Sequence, residues 1–235
     1  MNYRIQYPFL NLLLLDQYGE IGGAQRCLLD LLPAIHDRGW TATLAAPAGP
    51  LLDEASIRAA HVDAIRLGPF AAGHKSPADW LRFAWQFPPL LRRIQRIVDE
   101  REIDILYVNG PRLVPVVSCM REPRRVVFHC HSVFPGAAGL VGRRLRRAGA
   151  TVIANCRYVA RPLEPWTDKI HIVYNGVDDM AAPRAPVHDP PRAGVIGRFS
   201  PEKGQAIFLE AARALGWTAV LCGAPLFSDP SYERR

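Results

Sequence analysis

The sequence predicts an α/β protein built on a Rossmann-like, doubly wound parallel sheet, followed by the start of a second unit of the same kind. Two observations lead there. Short apolar runs alternate with amphipathic helical patterns, which is the order of a parallel sheet with helices on both faces. A proline-rich stretch is then followed by a fresh strand–loop–helix–strand pattern. The 235 residues accommodate one large domain or two smaller ones.

The elements follow in order along the chain. The run from Asn11 to Leu15 reads as a buried strand, because no small-residue cleavage site follows it and "DQYGEIGG" comes next. A helix after Gly23 carries Leu28, Leu31, Leu32 and Ile35 on one side and stops at Gly39. "TATLAAPA", "HVDAIRL", "IDILYVNG", "RRVVFHCH", "TVIANC" and "KIHIVYNG" are the remaining strands of this sheet. Between them, "GPLLDEASIRAA" is a turn and helix, and a longer helical region from Pro77 to about Arg101 is expected to break at Pro88 and Pro89. A short helix from Val114 to Met120 and the basic helix "LVGRRLRRAG" complete the set. The expected domains are 1–178, a linker over 179–192 and an incomplete second unit over 193–235. One βαβ unit cannot bury a core of its own, so the second domain is read as cut off, with "SDPSYERR" entering a further helix.

Composition sets the remaining bounds. The chain is 49% hydrophobic and 22% charged, as in a soluble globular protein. Its formal net charge of +7 favours an acidic partner: a phosphorylated small molecule, an anionic membrane or nucleic acid. No nucleic-acid motif accompanies that charge, which excludes nucleic acid as a partner. No apolar run approaches the roughly 18–20 residues that a membrane span needs. Cys27, Cys119, Cys130, Cys156 and Cys222 are scattered through apolar stretches without CxxC spacing. They read as buried thiols in a reducing compartment, the cytoplasm.

Four groups of residues are candidates for chemistry. Gly22 and Gly23 sit in the first strand-to-helix loop, at the carboxyl edge where open α/β sheets bind ligands. They would let a phosphate or sugar approach the backbone, or else serve a tight turn that needs positive φ. Neither GxGxxG nor GxxxxGK[ST] fits here, so a dinucleotide fingerprint and a P-loop are both absent. In "GRFSPEKG", Ser200 suits an N-cap and Pro201 a first helical position, which puts Lys203 in the first turn. Arg198 ends the preceding strand, so both cations would converge on a helix N-terminus, a setting for pyrophosphate; two solvated charges are the bland alternative. His129 and His131 in "FHCH" share one strand face. They lack a nearby third ligand for a metal, leaving a substrate hydrogen bond at His131 or simply satisfied buried rings. Arg143, Arg144, Arg146 and Arg147 on one short helix, and Arg92, Arg93 and Arg96 after Trp80, Phe83, Trp85 and Phe87 on another, suit peripheral contact with anionic membrane. They equally suit solvated faces, with Trp80, Phe83 and Phe87 packing into the core.

Five ordered blocks, "GGAQRCLLDLLPAIHDRG", "FHCHSVF", "TVIANCRYVA", "KIHIVYNGVD" and "VIGRFSPEKG", resemble family 4 glycosyltransferases of the GT-B fold over nearly the whole chain. The resemblance implies two Rossmann-like domains facing a cleft, with the acceptor held by the first and a nucleotide-sugar donor by the second. It implies transfer with retention of configuration and no metal or other cofactor. Residue by residue, it gives Gly22 and Gly23 the approach to donor phosphate and sugar, His131 the catalytic-site contact with the donor sugar, and Arg198 and Lys203 the pyrophosphate. The acceptor would be a glycan, a lipid-linked sugar or a small molecule, and the location cytoplasmic, including the inner membrane face. Two departures stand out: the family's E-x7-E motif is expected well beyond residue 235 and so is not found at its place in this chain, and His131 is followed by Ser132 where many relatives have aspartate. The chain alone is therefore expected to be inactive. Two other readings stay open: a non-catalytic acceptor-binding protein or half of a split enzyme, and a sugar-nucleotide epimerase of the same architecture.

Overall fold

The computed structural model describes residues 9–58, 60–68, 76–121, 125–134, 136–177 and 190–224. Contacts divide the chain into a first unit, 1–69 and Pro77–Gly176, and a second, 70–76 and 177–235. The first contains β1 (Asn11–Leu15), α1 (Gly23–His36), β2 (Thr41–Ala46), α2 (Pro50–Ile57), β3 (His61–Ala64), α3 (Pro77–Glu100) and β4 (Ile105–Val108). A 3-10 turn at Pro111–Leu113 leads into α4 (Val114–Val117), followed by β5 (Arg125–Cys130), α5 (Ala138–Arg147), β6 (Thr151–Ala154), α6 (Arg157–Ala160) and β7 (Ile170–Ile172). The sheet is parallel throughout, in the order β3-β2-β1-β4-β5-β6-β7.

β1 lies inside the sheet, between β2 and β4, and is apolar on both faces because both are covered. Leu12 and Leu14 pack with Leu28, Leu29 and Leu32 of α1, Leu44 of β2 and Leu51 of α2. Alternation turns Leu13 and Leu15 to the opposite face, where both are fully buried as well. Truncating one such leucine to alanine removes about 2–5 kcal/mol. The carboxyl-end loops lie backbone to backbone. A Cβ on Gly19 would come within 2.6 Å of the Pro47 carbonyl, and the Leu51 amide donates to the Gly19 carbonyl at 2.8 Å.

Prolines within helices have visible consequences. Pro33 in α1 has no N–H for the Leu29 carbonyl, and Arg58 of α2 donates its Nη1 there instead, at 3.4 Å. The break expected at Pro88 and Pro89 does not occur: α3 runs through both. Those prolines and the preceding turn at Ala84 and Trp85 are exposed, so water can take up the carbonyls that the prolines leave without donors. The cysteines also depart from expectation. Only Cys130 is buried; Cys27, Cys119 and Cys156 are half-buried, Cys222 is exposed, and all five thiols are free.

The second unit contributes β8 (Arg192–Ile196), a 3-10 turn at Pro201–Lys203, α7 (Gln205–Ala214) and β9 (Thr218–Cys222), with β8 and β9 paired in parallel. Residues 179–189 of the expected linker and the final "SDPSYERR" lie outside the described residues.

Candidate functional site

A row of polar side chains forms where the apolar strands end. Asp16, Asn109, His131 and Asn155 are the first residues after β1, β4, β5 and β6, four neighbouring strands. The sheet ladder carries on into three of them: Asp16 N–H donates to the Ala45 carbonyl, Asn109 N–H to Leu15, and Asn155 N–H to Cys130. Chain direction across the sheet reverses between β1 and β4, the switch point at which open α/β sheets open a crevice. Asp16 and Asn109 stand on its two sides.

These residues form one connected network. Asp16, fully buried, accepts from the Tyr18 amide at 2.8 Å, from Gln25 Nε2 at 2.9 and 3.0 Å, and from Asn109 Nδ2 at 2.6 Å. Gln25, in the first turn of α1, accepts the Gly22 amide on its Oε1 at 3.1 Å, which ties the glycine loop to Asp16. Asn109 Nδ2 also donates to the Ala24 carbonyl at 3.2 Å, and Asn109 Oδ1 lies 2.7 Å from His131 Nε2. The Asn155 amide donates to the His131 carbonyl at 3.3 Å. Gly22 and His131 therefore share a single hydrogen-bonded assembly, and Gly23 follows Gly22 as the first residue of α1.

Neither glycine is required by the backbone. Gly22 has φ −113°, open to any residue, and a Cβ on Gly23, the first residue of α1, would meet nothing within 4 Å. The tight-turn explanation for the pair is thus removed.

His129 and His131 share a strand face with ring centroids 3.8 Å apart, and the Tyr107 hydroxyl lies 2.6 Å from His129 Nδ1. Burial lowers His131 to about 4, and burial followed by the neighbouring His131 lowers His129 to about 4. Burial raises Asp16 to about 6 against the opposing pull of its hydrogen-bond donors, Asn109 first. At neutral pH the site holds a carboxylate and two uncharged imidazoles. Among the described residues no group of three or more His, Cys, Asp or Glu side chains is placed to hold a metal ion.

In the second unit the geometry differs from the expected one. Ser200 stands at the N-cap position of the 3-10 turn alone and makes no capping bond with its side chain; the turn ends at Gly204 with φ +69°, and α7 starts at Gln205. Lys203 therefore lies, exposed, in the 3-10 turn before the helix and not in its first turn. The Arg198 guanidinium is paired with Glu202, which places a carboxylate beside a cation expected to face phosphate. Glu202 is held below the usual carboxyl range, first by its own backbone N–H, with Arg198 adding to it. Gln205 Nε2 fixes the Arg198 carbonyl at 2.7 Å.

The basic helix does not present four equivalent arginines. Arg143 stacks over the Trp166 ring at 5.2 Å and Arg144 reaches Cys119 Sγ at 3.5 Å, while Arg146 and Arg147 are exposed. On α3, Arg93 pairs with Asp63, and Phe83 and Phe87 meet edge to face. Trp80, expected in the core, is 57% exposed, and Leu81 and Trp85 are 72% and 82% exposed. Among the described residues no helix is long and apolar enough to cross a membrane.

Asp16, Gln25, Asn109 and Asn155 were not singled out from sequence. Their signal is positional: the first polar residue after an apolar strand, and a glutamine three residues after Gly22.

The chain is similar in fold to the Anabaena protein HepE, solved in complex with UDP and glucose, with TM-score 0.70 and 21% identity over 96% of this chain. It is also similar to a glycosyltransferase from Rickettsia africae, with TM-score 0.68 and 16% identity over 97% of this chain. A Listeria monocytogenes structure described as a UDP-N-acetylglucosamine 2-epimerase aligns with TM-score 0.56 and 12% identity, over 97% of this chain and 65% of its own. The chain spans 64% of the length of the Anabaena and Rickettsia structures. No curated protein matches its sequence. The sequence profile of Glycosyltransferase Family 4 matches residues 21–180, more than half of the chain, and with the sheet order of a GT-B N-terminal domain in place, the chain belongs to that family.

Proposed function

We propose that this chain is the acceptor-side part of a retaining glycosyltransferase that moves a sugar from a nucleoside diphosphate to a hydroxyl acceptor, with no metal. The observation that carries this reading is the glycine pair. Gly22 and Gly23 open the helix at the sheet's carboxyl edge, the backbone conformation does not need them, and a helix start without side chains lets a donor phosphate come close. His131 hydrogen-bonds the donor sugar. Arg198 and Lys203 offset the charge that develops on the leaving diphosphate, an electrostatic contribution to the transition state. On this reading the chain alone transfers no sugar, since it spans 64% of the length of the Anabaena and Rickettsia structures.

The test is a screen of nucleotide sugars against glycan and lipid-linked acceptors, with products identified by mass and anomeric configuration. A product with retained configuration, made only when residues beyond this chain are supplied, supports the reading. Inversion at the anomeric carbon refutes it. Release of an epimerised sugar with no acceptor would favour the epimerase, a reading that the Listeria fold likeness keeps in play. Acceptor binding without turnover, even with those residues present, would favour the non-catalytic one.

A lipid-linked acceptor is favoured by α3. Trp80, Leu81 and Trp85 are exposed on the helix that carries Arg92 and Arg96 further along, an arrangement suited to an anionic membrane surface.

A further inference from the structure

We infer that Asp16 and Asn109 are positioning residues for His131: they hold its ring in the Nε2–H form, leaving Nδ1 as the nitrogen that accepts a hydrogen bond from a sugar hydroxyl. The sugar rests on the function proposed above; the ring state does not. The ionised carboxylate of Asp16 can only accept hydrogen bonds. Asn109 must therefore turn its NH2 toward Asp16, at 2.6 Å, and the same nitrogen meets a second obligate acceptor, the Ala24 carbonyl, at 3.2 Å. Both contacts fix the amide orientation, so the atom 2.7 Å from His131 Nε2 is the Asn109 oxygen. An amide oxygen accepts, so Nε2 carries the hydrogen and Nδ1 the lone pair. Turning the amide over would set its oxygen against a carboxylate and a carbonyl together.

Neighbouring groups keep the ring in place without competing for Nε2. The Asn155 side chain holds the His131 carbonyl, and the His129 ring, occupied at Nδ1 by Tyr107, lies against His131. Asp16 thus governs a ring it does not touch, through one intervening amide. A histidine set in this way offers an acceptor to substrate, so the hydroxyl it meets must donate.

The experiment is long-range 1H–15N correlation on the 235-residue chain labelled at histidine, at pH 7. His131 should appear as the Nε2–H tautomer alone. In Asp16→Asn the new side chain can donate, only the Ala24 carbonyl then holds the Asn109 amide in its orientation, and a share of the Nδ1–H form should appear. A wild-type His131 in the Nδ1–H form or in a fast mixture overturns the inference. So does a folded Asp16→Asn protein whose His131 is unchanged. If Asp16→Asn fails to fold, Asn109→Ser breaks the same relay next to the ring, and persistence of the Nε2–H form alone there is equally contrary. The spectrum is independent of turnover, so an absence of sugar transfer would count against the proposed function and leave the relay standing.

Discussion

Acidification should weaken the first unit, and the two stacked histidines should be the cause. His129 and His131 are lowered from 6.5 to about 4 in the fold. Between those values the unfolded chain binds protons that the folded chain refuses, so stability is present at neutral pH and lost as pH falls. From pH 7 to pH 5 this amounts to about 2 kcal/mol for His129, and somewhat less for the half-buried His131. Asp16 acts in the opposite sense. Raised from 3.8 to about 6, it is protonated in the fold before it is in the unfolded chain, and contributes about 1 kcal/mol of added stability over the same interval. The histidines win, by roughly 2 kcal/mol. The decisive variant is His129→Phe, which keeps an aromatic ring of similar size but cannot titrate. It leaves the Tyr107 hydroxyl without its partner, so absolute stability should fall by about 1–2 kcal/mol. The loss between pH 7 and pH 5 should shrink by about 2 kcal/mol. Urea unfolding followed by tryptophan fluorescence at the two pH values reads both quantities. Equal losses in wild type and variant, or a wild type that gains stability at pH 5, would refute this reasoning.

Other positions allow sharper single tests. Gly142 of α5 lies under Trp166, where an added Cβ would approach the ring to 2.3 Å. Gly142→Ala should expel the indole and destabilise by about 1–3 kcal/mol, visible as a red-shifted tryptophan emission; an unshifted spectrum counts against the packing described. Gly23→Ala should leave stability unchanged or raise it by up to about 1 kcal/mol, as read by thermal unfolding, because open space surrounds that position. Asp63 pairs with both Arg93 and Arg101; Asp63→Ala should cost about 1 kcal/mol in urea, and no loss would mean the pairs contribute nothing. Trp80→Ala with Trp85→Ala should reduce sedimentation of the chain with anionic vesicles while leaving its fold intact, and unchanged sedimentation would remove α3 as a membrane contact.

The layout of the sheet was readable because each strand is a short apolar run and each helix has a clear period. β1 is the plainest case: four consecutive leucines can be buried only where both faces are covered. α3 was misread at Pro88 and Pro89 because the rule against proline assumes that the freed carbonyls have no other partner, and exposed carbonyls have water. The Ser200–Pro201 start signal was real, but Gly204 takes a left-handed conformation and ends that turn before α7 begins. Of the site, the glycines and His131 were visible as motif. Asp16 and Asn109 were not, since 93 residues separate them and only the β1–β4 adjacency brings them together. Pairing of Arg198 with Glu202 is a matter of side-chain rotamer, which no pattern of residue types encodes.

The most direct test of the account is a titration of the isotopically labelled 235-residue chain with UDP-glucose, followed amide by amide, in wild type and in Gly23→Ala. Shifts are expected at Gly22, Gly23 and the residues around His131 in the wild type, with their loss in a Gly23→Ala protein that is at least as stable. Shifts absent from those amides, or Gly23→Ala binding as the wild type does, would contradict the assignment of the glycine loop to a nucleotide-sugar donor.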